Sequence, residues 1–377
     1  MSPQQIPVIV LAGFLGSGKT TLLNHLLHTG GGTRIGAVVN DFGAIDIDAM
    51  AVAGSLGDST VSLGNGCLCC SVDVSELDTS LDVLTRPSAG IDVVIIEASG
   101  LAEPGELVRM VLASGNPRVA YGGLVEVIDA AEFDASRERH PELERHVGIA
   151  DLVVLNKTDR VTPEDRERLL ARVRDLNAHG AVVCASHGRV DPELLFDRKA
   201  VTERFGQLSF DDLREREEGG PGGHQGHLHA AYDTVSFTSA VPLDPRRTTA
   251  FLDSRPPGLY RIKGHVDFGA ADPRNRYGLH TVGGAVRFTP EPWAPGQERG
   301  SALVLIGSGV DTESLLAALT ACRSIAEQAP EGEGAEGAGE DDAAMWGVLR
   351  FVAAAQDEEE PRRPEPEPGP EDPALAP

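Results

Sequence analysis

The sequence predicts an α/β fold with a mostly parallel sheet and helices on both faces, and three observations lead there. Six short β-branched runs alternate with helical stretches between residues 7 and 185. The first run leads straight into a glycine-rich turn of a specific pattern. The other polar motifs also follow strands, which gathers them at the carboxyl edge of a parallel sheet.

Pro7–Ala12 (PVIVLA) is the first strand, and Gly13–Thr20 (GFLGSGKT) follows it. This turn fits G-x-x-x-x-G-K-[ST] at Gly13, Gly18, Lys19 and Thr20. Glycines let backbone N–H groups face a phosphate, and the following helix N-terminus adds positive potential. Lys19 is expected to reach the β- and γ-phosphates, and Thr20 to hold Mg2+. Thr21–His28 reads as a helix with Leu22, Leu23, Leu26 and Leu27 on one face. The fold class is therefore a P-loop NTPase.

Arg34–Val39 is the second strand, and Asn40-Asp41-Phe42-Gly43 and Ala44–Asp48 follow where a first nucleotide switch belongs. Asp41, Asp46 and Asp48 are in reach of a metal there, although a solvated loop is the better reading of the last two. Gly64–Cys70 (GNGCLCC) places three thiols within four residues. Soft thiolates suit Zn(II) or Cu(I), and Gly64 and Gly66 allow the turn that their convergence requires. Three local ligands leave a fourth to come from elsewhere, or leave the site open, as a carrier needs. A permanent structural metal site and plain core cysteines are the competing readings.

Asp73–Leu84 reads as a helix, and Ile91–Ile96 as a strand closed by Glu97. Glu97-Ala98-Ser99-Gly100 gives E-x-x-G. The Glu97 carboxylate is expected to act on Mg2+ through water, and the Gly100 N–H to meet the γ-phosphate. Leu101–Pro104 then belongs to a second switch, with Glu103 a candidate to orient the attacking water. Gly122–Ile128 is a strand with Asp129 at its end. Asp151–Leu155 is the next, and it runs into Asn156-Lys157-Thr158-Asp159. An N-K-x-D tetrad after a strand selects guanine: a carboxylate such as Asp159 accepts from guanine N1 and N2, a donor pair adenine lacks. Asn156 ties loops together and the Lys157 stem lies over the ring. Pro163–Leu176 is a helix. Ala181–Ala185 is the last strand, with Cys184 expected inside it and the backbone at Ala185-Ser186 near guanine O6.

The expected organisation is a P-loop domain over residues 1–204, a linker over 205–230, a smaller α+β domain over 231–326 and a disordered acidic tail over 327–377. The linker carries His224, His227 and His229, which either bind metal weakly or are simply solvated. In the second domain, strands are expected at 232–237, 258–268, 279–288 and 302–307, and helices at 245–252 and 312–322. His265 is a candidate ligand there, and Cys322 fits a core position better. Within the tail, Ala343–Ala355 is apolar, and Met345, Trp346, Leu349, Phe351 and Val352 suit a short helix that docks on the body.

The formal charge of −25 is acidic throughout, and residues 331–377 hold 14 acidic against 3 basic residues. That balance argues against nucleic acid as a partner. No apolar run is long enough to span a bilayer, and no basic segment precedes the first apolar stretch, so a cytoplasmic setting without membrane attachment is expected. There the five cysteines stay reduced, as ligands or core residues rather than disulfides.

GFLGSGKT, NDFG, GNGCLCC, EASGLAEP and NKTD, in that order, resemble the CobW-like metallochaperone GTPases. The similarity spans about residues 6–325, and RIKGHVDF and ALVLIG look like that family's second domain. The resemblance implies that Gly16, Ser17, Gly18, Lys19, Thr20 and Thr21 bind phosphate, that Cys67, Cys69 and Cys70 bind metal, and that Asn156, Lys157 and Asp159 bind guanine. The family usually has Asn-Glu-Phe-Gly where this chain has Asn40-Asp41-Phe42-Gly43, so the shorter Asp41 stands in the place of the family's Glu as the metal-ligand candidate. The function implied is GTP hydrolysis coupled to carriage of a transition metal, zinc first and Co2+ second, to an acceptor protein. The cofactors are GTP and Mg2+, and a homodimer is compatible. A zinc reservoir or sensor, and a regulatory GTPase with a structural metal, are the other classes. Cobalt delivery to cobalamin synthesis or to a nitrile hydratase is the rival within the class.

Overall fold

The computed structural model describes residues 5–39, 60–62, 74–197, 232–324 and 345–352. Two sheets organise them. The first has seven strands in the order β3-β2-β4-β1-β5-β6-β7. These are β1 (Ile6–Ala12), β2 (Ile35–Val39), β3 (Thr60–Ser62), β4 (Val93–Glu97), β5 (Val119–Asp129), β6 (Leu152–Asn156) and β7 (Ala181–Cys184). Every pairing is parallel. The expected six strands are all present, and β3 is the addition.

A parallel sheet covered on both faces needs near-continuous apolar strands, and β1, β2, β4 and β6 are buried almost throughout. One apolar cluster joins Val8, Val10, Ile96 and Ile128 to Leu107, Val147 and Leu169. The other joins Ile9, Leu11 and Val154 to Leu22, Leu23 and Leu26 of α1 (Lys19–Thr29). Each of those buried leucines contributes about 1.5–3 kcal/mol, and Leu27 packs half-buried beside them. The remaining helices of this layer are α2 (Val74–Leu84), α3 (Pro104–Ala113), α4 (Phe133–Arg139), α5 (Glu142–Ile149), α6 (Pro163–Leu176) and the short α7 (Pro192–Leu195). The elements expected from the sequence do not include α3, α4, α5 or α7. Cys184 is half-exposed rather than buried, because it ends an outer strand.

The second sheet is antiparallel, in the order β11-β10-β9-β12-β8. Its strands are β8 (Asp233–Ser239), β9 (Leu259–Val266), β10 (Asn275–Val282), β11 (Ala285–Pro292) and β12 (Ser301–Gly307), with α8 (Pro245–Asp253) and α9 (Thr312–Ala321). The stretch 279–288, expected as one strand, is instead a hairpin: Val282 pairs with Ala285 across Gly283-Gly284. Cys322 caps α9 in the core, its thiol pushed up to about 11 by burial. His265 is half-buried with its ring 6.5 Å from Trp293, and burial lowers its pKa.

The apolar stretch in the tail docks on this domain. Residues 345–349 are helical, Met345 and Val348 are buried, and the Phe288 N–H donates to the Phe351 carbonyl at 3.0 Å. Trp346 and Leu349, expected to face the body, are 72% and 47% exposed, and Val348 takes the inward position. The linker histidines and the rest of the acidic tail lie outside the described residues.

The hairpin tip sits against the amino edge of the parallel sheet. The Gly284 N–H donates to Asp151 Oδ1 at 3.4 Å, and Tyr260 and Val282 join the α1-side cluster. β5 bulges there: its register against β1 shifts between Val8 and Val10, and Gly123 takes φ +108 where a Cβ would lie 2.6 Å from Val282.

Candidate functional site

The P-loop runs from the end of β1 into α1. Gly18 precedes the helix at φ 103, and a Cβ there would lie 2.4 Å from Asn156 Nδ2. No side chain caps α1 and no acidic residue occupies its first turn, so its leading N–H groups remain available to an anion. Gly13 is held at φ +146, with a Cβ only 2.3 Å from the Val127 carbonyl. Lys19 folds back, donating to the Gly13 and Phe14 carbonyls at 2.9 and 3.3 Å. Ser17 Oγ is buried with no hydrogen-bond partner among the described residues, an orphan in the middle of the cradle.

The acidic strand end reaches the P-loop directly. Thr20 Oγ1 donates to Glu97 Oε1 at 2.7 Å, and Glu97 is buried. Gly100 packs on the loop, where a Cβ would lie 2.8 Å from the Leu15 nitrogen. Glu103 precedes α3, and its Oε2 accepts from Arg145 and, at 3.2 Å, pairs with His146 of α5. Its carboxylate is thus held by α5.

Asn156 is buried and ties two loops: its Nδ2 donates to the Ser17 carbonyl at 2.9 Å, and its Oδ1 accepts from the Gly188 N–H at 2.9 Å. Lys157 donates to the Gly16 carbonyl at 2.6 Å and to Asp129 Oδ2 at 2.7 Å, which fixes its stem across the loop. Asp159 faces solvent in a 3₁₀ turn (Thr158–Arg160). Ser186 Oγ lies 3.1 Å from Thr158 Oγ1, so the two base-side loops are joined. Thr21 is exposed on the first turn of α1.

Sequence reasoning missed two features here. His187 lies 3.9 Å from Asp159, and it and Lys157 are the only non-glycine residues with positive φ among the described residues. Such strain concentrates at ligand sites. Glu126, on β5 beside Ala12, was hidden inside an apolar run. Cys67, Cys69, Cys70 and Asp41, the expected transition-metal ligands, lie outside the described residues.

A P-loop joined to an acidic strand end and to an N-K-x-D loop defines a P-loop GTPase. Two family models match the chain: "CobW/HypB/UreG, nucleotide-binding domain" over residues 7–184, and "Cobalamin synthesis protein cobW C-terminal domain" over residues 232–323. The chain belongs to the CobW-like P-loop GTPase family. It is 29% identical over 357 residues to the "Zinc chaperone CobW" of a Sinorhizobium species, a match covering 84% of this chain and 97% of that protein. It is 34% identical over 197 residues to the "Zinc chaperone YjiA" of Escherichia coli, covering 51% of this chain and 61% of that one. The crystal structure of the Zn(II)-bound YjiA GTPase from E. coli is 24% identical, with 85% of this chain and 100% of that chain covered and a TM-score of 0.40.

Proposed function

We propose that the protein is a GTP-hydrolysing metallochaperone that carries zinc at Cys67, Cys69 and Cys70 and releases it to an acceptor protein when the nucleotide changes state. One observation carries this reading. Val39, Ser62 and Glu97 lie in one row across the carboxyl edge: Val39 is in register with both Ser62 and Glu97, and Glu97 with Leu11 beside the P-loop. Ser62 is two strands from Glu97, about 10 Å at the usual strand spacing. The five residues from Ser62 to Cys67 span at most about 17 Å. A tether of that length allows Cys67 to approach the nucleotide site, which supports the reading. Relatives named zinc chaperones make zinc the first choice of cargo.

Within the nucleotide site, Lys19 exchanges the Gly13 and Phe14 carbonyls for phosphate oxygens. The α1 N-terminus binds phosphate, and Asp159 accepts from the guanine edge while Lys157 covers the ring. Mg2+ fits the hard oxygens of Thr20 and Glu97, which already meet at 2.7 Å. Bound there, Mg2+ would neutralise charge on the β- and γ-phosphates. Gly100 and Glu103 belong to the segment that responds to the γ-phosphate. Co2+ is the alternative cargo.

The test replaces Cys67, Cys69 and Cys70 with Ser and measures how Zn2+ alters the rate of GTP turnover. Loss of the zinc effect is expected, with zinc-free turnover retained. An unchanged zinc effect removes these thiols from the coupling.

A further inference from the structure

Beside the P-loop, on the face of the sheet away from α1, lies a cavity of about 330 Å3. Phe14 and Leu15 of the P-loop line it, with Phe133 and Leu143 of the α4–α5 pair. Glu126 lines it. This residue is 1% exposed and its Oε2 has no hydrogen-bond partner among the described residues. Buried polar groups are almost always satisfied, and an orphan carboxyl lining a cavity calls for an explanation.

The neighbouring charges do not supply a partner. Lys19 is the cation that acts on Glu126, but its ammonium is bonded to the Gly13 and Phe14 carbonyls. Glu103 is a like charge, held by Arg145 and His146. Two further lining cations, Lys157 and Arg160, are drawn to Asp129, at 2.7 and 4.0 Å. Arg139 and Glu132, both exposed, complete the lining charges. An anionic ligand would meet the carboxyl of Glu126 with its nearest cations already engaged. The apolar walls suit an alkyl stem, and the carboxyl suits a cationic head.

We propose that this cavity is a binding site for an alkylguanidinium or alkylammonium group, with Glu126 as its carboxylate partner and Phe14, Phe133 and Leu143 packed on its stem. Such a group enters from a free small amine or from an arginine or lysine side chain of a partner polypeptide. It would bring a positive charge beside the turn formed by Phe14 to Ser17, and so link occupancy of the cavity to the nucleotide site.

Burial without a partner raises the Glu126 carboxyl to about 8, so it is largely protonated in the empty cavity at neutral pH. Binding therefore replaces a proton by the cation: the carboxylic acid gives up its proton to solvent and the carboxylate pairs with the head group. Affinity rises with pH until Glu126 is ionised in the free protein, while the guanidinium stays charged throughout.

Calorimetric titration of the full chain with n-butylguanidinium, at pH 6.5 and 8.5 and in two buffers of different ionisation enthalpy, tests this. The expected result is at least tenfold tighter binding at pH 8.5, with close to one proton released per ligand at pH 6.5. Glu126→Gln is expected to weaken binding at pH 8.5 at least tenfold and to remove the pH dependence. If Glu126→Gln does not fold, wild-type carboxyl 13C spectra decide. One glutamate titrating near pH 8 should move downfield when ligand is added at pH 6.5. Absence of binding, equal binding by Glu126→Gln, pH-independent affinity or an unmoved resonance overturns the proposal. N-acetyl-arginine amide separates the sources. Binding as tight as n-butylguanidinium assigns a polypeptide side chain, and tenfold weaker binding assigns a free amine.

Discussion

Two carboxyl groups at opposite edges of the same sheet, Asp151 half-buried and Glu126 buried, are treated in opposite ways. Asp151, at the amino edge, accepts from Tyr121 Oη at 2.5 Å, from the Leu124 N–H at 2.8 Å and from the Gly284 N–H at 3.4 Å. Glu126, near the carboxyl edge, has no hydrogen bond among the described residues to its buried oxygen. Burial raises both acids' pKa, but the bonds to Asp151 pull the other way. The first carboxyl holds the second domain to the first. The second is left open beside the P-loop, where an unsatisfied buried polar group calls for an explanation.

The largest expected effect tests the open carboxyl. Its folded pKa of about 8 lies above the ordinary 4.5, so ionisation costs stability. That cost is absent below about pH 4.5, grows as pH rises and is complete above about pH 8. Glu126→Gln removes it. Relative to wild type, the variant should gain on the order of 3 kcal/mol between pH 5 and pH 8, measured by urea unfolding at both. A pH-independent difference would mean that Glu126 has a partner after all.

Next comes the closed carboxyl. Gly283 takes φ +49, and a Cβ there would lie 1.5 Å from Asp151 Oδ1. Gly283→Ala should cost roughly 2–3 kcal/mol through backbone strain and separation of the hairpin from Asp151. Thermal unfolding would show it, and an earlier separate transition of the second domain would sharpen the point. The smallest effect belongs to a carboxylate that is neither buried nor shared between the domains. Asp253 pairs with Arg350 at 2.5 Å, with the two side chains 54% and 41% exposed. Arg350→Ala should cost no more than about 0.5 kcal/mol in the same unfolding measurement. A larger loss would make the tail contact structural.

The same comparison explains what the sequence could show. The P-loop, Glu97 and the N-K-x-D loop follow strands in a parallel sheet, so order along the chain predicted convergence, and Asn156 does reach Ser17. Glu126 was illegible because one charged residue inside the apolar run GGLVEVI carries no signal of what surrounds it. Only the structure shows that its buried oxygen meets no hydrogen-bond partner among the described residues. The hairpin was missed for a related reason: a two-residue Gly-Gly turn leaves the alternation of LHTVGGAVRF uninterrupted. β3 is three residues long and pairs only with β2, too short for any periodic signal.

The account rests most on coupling between nucleotide and cargo. Zn2+ affinity, measured by competition with a chromophoric chelator, should be at least tenfold tighter with Mg2+ and a non-hydrolysable GTP analogue than with Mg2+ and GDP, about 1.4 kcal/mol of coupling. Equal affinities in the two states would contradict a GTP-driven carrier and leave a reservoir or a structural metal site.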